Sequence, residues 1–463
     1  MMQLIAIILI VPAMLWLLNL NREAEENPSR ALWIPLVWML IAGSRSVSSW
    51  FTSSDNVPLE QRYAEGTPLD AAIFAFLILC ALFILNRRAR GIDRFFRANR
   101  ALLIFFAYCA VSMAWSESPL IAVKHYVKLC GDLLMALVVL TEADPRAALH
   151  SVLSRAALIL LPLSVLLILG FPELGSSFNL SDQKMYFNGV TTQKNELGMI
   201  CLILGLGALW SILSDGADHN PPGRRRRLFV QGSIILMALW LMLKADSMTS
   251  FSGFAISAMV IILVGQRWVA RRASTVHWLV GGATGLAIFA VFLDTSGTLL
   301  RMLGRNPTLT GRTDIWKAVL SFHTNPLIGT GFDSFWLGSH ITEVAKKIGY
   351  TGITEAHNGF LEIYINMGWI GVGLLIWMIF SAYRRGVVLL RAQPQMGRFR
   401  IAIVVANIIF NLSEAGFKNL ILAWIVFLMA TIDIPELSVK RPAWRFATSH
   451  STPPQAGKMR ILQ

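Results

Sequence analysis

The chain has 463 residues, 55% of them hydrophobic and only 15% charged, with a formal net charge of +14. An ordinary soluble domain carries about a quarter charged residues, so that class is excluded and the composition points to a polytopic membrane protein. The positive charge is not a nucleic-acid footprint, because the basic residues sit in short turns between apolar runs, where membrane topology places them.

In chain order, apolar runs suited to crossing hydrocarbon as helices lie near 3–20, 31–50, 69–86, 101–115, 121–141, 152–170, 196–213, 229–243, 252–266, 276–293, 363–382, 401–415 and 419–434. They predict an all-α bundle of 12–13 spans. Several fall short of the roughly twenty residues that a perpendicular helix needs, so some are expected to start in the headgroup layer or to break beside a cavity. The first run has no basic region before it and no small-residue cleavage site after it, and reads as a retained span. Arg87, Arg88, Arg90, Arg94, Arg97 and Arg100 crowd one turn, Arg224 to Arg227 a second, Arg267, Arg271 and Arg272 a third, and Arg384, Arg385, Arg391, Arg398 and Arg400 a fourth. Alternating spans put all of these on one side, which the positive-inside rule makes cytoplasmic. The turns near 51–68, 116–120, 171–195, 244–251 and 416–418 then face the other side. Cys80, Cys109, Cys130 and Cys201 lie in or beside apolar runs, with no CxxC and no zinc spacing, which argues against a disulfide framework or a structural zinc. No internal repeat of fixed period is visible, which counts against a transporter built from two halves.

The expected organisation is a transmembrane bundle over 1–294, a large external loop over 295–362, further transmembrane helices over 363–434 and a disordered cytosolic tail over 435–463. The loop is the one long hydrated segment in an apolar chain, and polar chemistry gathers at its edges. Thr313 is placed to cap a helix from Asp314 to about Phe322, with Ile315, Trp316, Val319 and Phe322 on one face. Such a helix either roofs a cavity along the membrane surface or packs on the bundle. Arg312, just before it, suits an anionic ligand, or else snorkels or pairs at the surface. His357, flanked by Glu355 and Asn358 where the loop re-enters an apolar span, suits proton transfer at a cavity mouth, or else ties the loop to a helix end. Glu362 reads as a structural partner for a basic residue. Further polar groups stand at external span ends: Arg45; Lys124 and Lys128 with His125 between; Lys194 and Asn195; Glu414 with Lys418 one turn on. As a set, these cations match an anionic lipid headgroup whose diphosphate must be neutralised on entry and departure.

The motifs TLTGRTDIW at 308–316, EAHNGFLEIYINMGWIG at 355–371, GVTTQKNELG at 189–198, WSESP at 115–119 and NLSEA at 411–415 together resemble the O-antigen ligase and polysaccharide polymerase superfamily, in particular its exopolysaccharide-production branch. The resemblance implies a fold of the C type of glycosyltransferases in the bacterial inner membrane with its active face periplasmic. It implies an undecaprenyl-diphosphate-linked oligosaccharide as donor, inversion at the anomeric carbon, and a glycan, lipid A core or protein hydroxyl as acceptor. Matching motif to motif, Arg312 would hold the diphosphate, and His357 would act as base or orient the acceptor. Lys194, Asn195, Lys124, Lys128, Glu414, Asn358 and Glu355 are candidate substrate-binding residues by position and chemistry. Lys244, in KADSMTSFSG, stands where many ligases carry an arginine, so a point charge replaces a bidentate fork. No cofactor or metal is expected, since cationic side chains can neutralise the diphosphate and the loop itself holds no clear carboxylate cluster. A flippase would instead place its ionisable groups near the bilayer midplane.

Overall fold

The computed structural model describes residues 2–24, 29–51, 66–88, 92–179, 183–215, 223–289, 312–337, 339–349 and 353–434. The expectations for 295–311, Thr308 to Gly311 included, and for the tail 435–463 lie outside the described residues. Every apolar run overlaps a helix: α1 (Met2–Ala24), α2 (Trp33–Ala42), α3 (Pro68–Arg88), α5 (Arg100–Ser112), α6 (Pro119–Leu140), α7 (Pro145–Gly170), α8 (Lys194–Asp215), α9 (Arg224–Ala245), α10 (Met248–Val264), α11 (Ala273–Ile288), α14 (Gly359–Ala392), α15 (Pro394–Asn411) and α16 (Leu422–Thr431). A short α4 (Ile92–Ala98) lies in a basic turn, and the long segment between α11 and α14 contributes α12 (Arg312–Leu320) and α13 (Ser339–Ile348). The fold is an all-α polytopic membrane architecture. Among the described residues, six helices (α1, α3, α7, α8, α9 and α14) are by length and composition long and apolar enough to cross a membrane, while α2, α5, α10 and α16 are shorter apolar helices.

Local sequence explains the helix starts. Pro119, Pro145 and Pro394 each occupy the first turn of α6, α7 and α15, where a missing N–H costs nothing. Asp144 also accepts a bond from the Ala147 amide, 3.0 Å, at the start of α7. At the centre, α8 packs against α7, α9, α10, α15 and α16. Trp210 of α8 is fully buried, as are Trp38 and Trp424. The one sheet among the described residues is a hairpin, β1 (Ser176–Asn179) antiparallel to β2 (Lys184–Phe187), which no alternation in the sequence had suggested.

The basic turns collect at one end of the bundle. There Arg88 pairs with Glu142 at 2.6 Å, Arg398 donates to the Gly265 carbonyl at 2.7 Å, and Arg385 donates to the carbonyls of Ala98 and Thr431. At the opposite end the Glu117 amide donates to Ser334 at 3.0 Å, Thr249 bonds Ser413 at 2.7 Å and Arg312 pairs with Glu414. This is the grouping that alternating spans require.

One long helix breaks where the loop meets it. Gly368 in α14 has φ +61°, and a Cβ there would sit 2.2 Å from the Leu327 backbone. The amides freed at the break find acceptors in the loop, Trp369 on Pro326 (2.9 Å) and Ile370 on Leu327 (3.2 Å). The carbonyls of Ile365 and Asn366 accept from Thr330 (3.0 Å) and Gly331 (2.8 Å). A broken helix inside a membrane protein is tolerated only where other protein re-satisfies the backbone. The loop does so here, and is thereby bolted to α14. It also has its own apolar core, in which Ile315, Val319, Phe335, Trp336, Val344 and Ala356 are buried together.

Candidate active site

The helix that opens the described part of the loop starts at Arg312 and ends at Leu320, two residues earlier at each end than its sequence pattern suggested, so Thr313 lies inside it and is not its cap. Ile315 and Val319 face the loop core, Phe322 packs against it, and Trp316 donates to the Ala356 carbonyl at 2.8 Å. That bond ties α12 to the strand of chain carrying Glu355 and His357. Asn358 ends the strand and caps α14, accepting from the amides of Phe360 and Leu361, both at 3.0 Å. Its amide nitrogen donates to the Leu412 carbonyl at 3.0 Å. Gly359 fits here because a Cβ would fall 1.9 Å from Asn411 Oδ1. The segments 355–359 and 411–418 are thus clamped together, backbone to backbone, by the Gly359 amide on the Glu414 carbonyl at 2.9 Å.

The clamp assembles five charged side chains in a row. Arg312 Nη2 donates to Glu414 Oε1. Glu414 Oε2 lies 3.3 Å from His357 Nδ1, which lies 3.1 Å from Glu355 Oε1, and Glu355 Oε2 accepts from Lys418 Nζ at 2.9 Å. His357 sits at φ +48°, a left-handed conformation that costs a non-glycine residue energy and recurs at functional sites. Burial alone would lower the His357 pKa, but the carboxylates of Glu355 and Glu414 overcome it and raise the value to about 10. The imidazole is therefore a cation at neutral pH. Burial would likewise raise Glu355, and the charges and hydrogen bonds of Lys418 and His357 reverse this, holding its carboxyl well below the usual range.

Glu355, His357 and Glu414 present donor atoms within 4.8 Å of one another, a spacing that suits a metal ion. Among its described residues the loop by itself offers no such cluster; folding creates one by delivering Glu414 from the far side of α15. A cation entering it would have to displace the imidazole proton and compete with Arg312 and Lys418, each already held by a carboxylate. The donor set is a poor metal site as charged here.

Of the residues singled out in the sequence, the structure brings together Arg312, Glu355, His357, Asn358 and Glu414. Lys418 joins them through Glu355, although the sequence marked it only as a neighbour of Glu414. Glu362 accepts from Trp336 Nε1 (2.9 and 3.1 Å) and from the Ala356 amide, so among the described residues its direct partners are neutral, not basic. Lys194 lies 3.6 Å from the Tyr186 ring centre, and Lys244 lies 5.6 Å from those of Phe187 and Trp240, so both lean on the hairpin end of the bundle. Asn195 is half-buried beside Lys194 at the start of α8. Lys124 is exposed, and Lys128 sits 5.8 Å from the Phe74 ring centre. Arg45 donates to the carbonyls of Leu174 and Thr191. A second polar chain escaped the sequence reading: Asp333 accepts from Asn419 at 3.4 Å and meets His125 at 2.5 Å, linking α6, the loop and the segment after Glu414. The only sequence signal for it was a lone acid among the aromatics of FDSFW.

The arrangement is one of a loop helix, the irregular segment before α14 and a helix end joined by alternating charges. Residues 232–378 match the family model described as O-antigen ligase. The matched segment runs from within α9 to within α14 and so contains Arg312, Glu355 and His357, while Glu414 lies beyond it. The superfamily resembled by the motifs is the one this match returns. Among curated proteins, the chain is 22% identical over 303 residues to the exopolysaccharide production protein ExoQ of Rhizobium meliloti, covering 61% of this chain and 64% of that one. It is 23% identical to a "Putative polysaccharide ligase" of Rickettsia typhi, over 60% of this chain and 66% of the relative. A protein of Rickettsia felis with the same description is 24% identical over 68% of this chain and 80% of its own length. The chain thus spans just under two thirds of the length of the first two relatives.

Proposed function

We propose that this protein is a membrane glycosyltransferase of the O-antigen ligase kind, moving or polymerising a glycan from an undecaprenyl diphosphate donor onto an acceptor hydroxyl at the periplasmic end of the bundle. The observation that carries the proposal is the row of five charges from Arg312 to Lys418, placed at the end opposite the basic turns. In this reading Arg312 binds the diphosphate. A guanidinium has five N–H donors, and Glu414 accepts one of them, from Nη2, so others can meet phosphate oxygens. Lys124, Lys128, Lys194 and Lys244 form an outer set of cations that draws the headgroup in.

The role of His357 follows from its charge. A histidine that already carries its proton at neutral pH cannot take another, so it acts as an imidazolium that orients the acceptor and favours departing negative charge. Glu414 is the group that receives the acceptor proton. As the acceptor oxygen bonds the anomeric carbon, the bond from that carbon to the diphosphate oxygen breaks. The electron pair leaves on the diphosphate, the hydroxyl proton passes to the Glu414 carboxylate, and the configuration inverts. A carboxylate suffices as base when the transition state has oxocarbenium character, as in inverting glycoside hydrolysis.

The test is purified protein in liposomes with lipid-linked oligosaccharide and candidate acceptors, assayed for release of undecaprenyl diphosphate. Wild type is expected to release it, whereas Arg312→Ala and His357→Ala are not. Equal release by wild type and both variants would show that the site is misassigned. The same assay with EDTA should run at an unchanged rate, and loss of activity restored by a divalent cation would replace the proposed mechanism with a metal-assisted one.

A further inference from the structure

The far end of the bundle holds a cavity of about 550 Å3, bounded by the start of α7, the turn between α14 and α15, and the residues that follow α16. Its polar lining comprises Asp144, Arg146, Gln393, Gln395, Arg400 and Asp433. Arg400 is 5% exposed. Its Nη2 donates to the Ile432 carbonyl at 2.7 Å and lies 4.0 Å from Asp433, while Nε and Nη1 are buried without an acceptor. A buried guanidinium whose donors the chain leaves unmet is costly unless another acceptor meets them.

Two helix N-termini converge on the same space. Helix α15 begins at Pro394 with no side-chain cap and no acid in its first turn. Helix α7 begins at Pro145, and the Asp144 carboxylate there is engaged by the Ala147 amide. Helix starts carry partial positive charge and unpaired amides, and Arg146 brings a second guanidinium to the wall. The carboxylate of Asp433, 31% exposed at the side chain, faces Arg400 from the Nη2 side and leaves the other two nitrogens unanswered.

We propose that this cavity binds a phosphate-bearing anion, supplied in the membrane by the phosphodiester headgroup of a phospholipid from the leaflet at the basic end. Basic pockets between transmembrane helices on that side of a bilayer are suited to phospholipid headgroups. Helix α15 spans roughly 27 Å at 1.5 Å per residue, so the cavity and the Glu414 cluster sit at its opposite ends, and the proposal stands whether or not the transferase reading does.

The test uses the full chain in a phosphate-free glycoside detergent, following thermal unfolding by tryptophan fluorescence. Phosphatidylglycerol should raise Tm by several degrees, whereas diacylglycerol with the same chains should not. If inorganic phosphate alone reproduces the shift, the anion site stands and its source is free phosphate. Arg400→Met removes the uncompensated charge and should fold without lipid yet lose the response to phosphatidylglycerol. Should that variant fail to fold, Arg146→Gln provides the reading, with an apparent affinity weakened about fivefold, the effect of one basic residue. Equal shifts with phosphatidylglycerol and diacylglycerol, or an undiminished phosphatidylglycerol response in the folded variants, would overturn the proposal.

Discussion

The two ends of α15 handle buried charge in opposite ways. At the Asn411 end, Arg312, Glu414, His357, Glu355 and Lys418 alternate in sign, so each charge has a partner supplied by the chain. At the Pro394 end, Arg400 keeps two nitrogens without an acceptor. The contrast separates two kinds of site. Where a fold compensates its own charges it can hold a proton in a defined place, which suits chemistry. Where it leaves a guanidinium unanswered, it awaits a ligand.

The largest expected effect tests the compensated end. Arg312→Ala, His357→Ala and Glu414→Gln should each lower transfer by about 10²–10⁴-fold, the range for losing a proton acceptor or an electrostatic stabiliser. Because the three act as one unit, the double variant Arg312→Ala/Glu414→Gln should be little worse than either single one. Multiplicative losses, measured as undecaprenyl diphosphate release, would mean that the residues act separately and that the row of charges is not one device.

Gly368 tests whether the bolt between loop and α14 positions that end. Alanine would have to adopt φ +61° with its Cβ against the Leu327 backbone, a cost of about 1–3 kcal/mol in backbone strain before any shift of the loop. Gly373, in the same helix, has open space beside it, and Gly373→Ala should be neutral or slightly stabilising. Thermal unfolding of the two variants side by side distinguishes a required break from ordinary helix propensity. If Gly368→Ala is as stable as Gly373→Ala, the break is incidental.

The pH profile addresses His357 directly. Its folded pKa is raised, so the stability it contributes is fully present below about 6.5, its unfolded value, and is lost as pH rises through about 10. Glu355 has the opposite sign: its folded pKa is lowered, so its contribution is present above the ordinary carboxylate range and lost on further acidification. Transfer should therefore be flat across neutral pH and fall above about 10 as the imidazolium is lost. A rate that instead climbs toward pH 10 would identify neutral His357 as the base and remove Glu414 from that role.

How much of this was legible beforehand depends on how local each cause is. Apolar runs announce helices because burial is favoured residue by residue, and each run overlaps a helix among the described residues. Boundaries drifted where the reason was not local: α14 extends to Ala392 because its basic last turns continue a helix past its apolar stretch, and α2 stops at Ala42, before Gly43 and Arg45. Arg312 and His357 stood out as charges at the edges of an apolar chain. The pairing of Glu355 with Lys418 joins residues 63 apart, and that of Asp333 with His125 joins residues 208 apart, so neither leaves a pattern in a sequence window. The same distance hid the charge state of His357, which depends on Glu414 arriving from another helix.

The smallest expected effects concern the outer cations, and they bound the site. Lys194 rests on Tyr186, and Lys244 lies between Phe187 and Trp240, contacts worth about 0.5–1 kcal/mol at exposed positions. If these lysines only draw the donor headgroup in, Lys194→Ala and Lys244→Ala should raise the KM for lipid-linked donor several-fold and leave kcat nearly unchanged, the mark of uniform binding. Added salt should erase the difference from wild type, because attraction between exposed charges is screened. A kcat loss approaching that of Arg312→Ala would carry the reacting diphosphate across to the hairpin, and the row from Arg312 to Lys418 would then be one wall of a wider cleft.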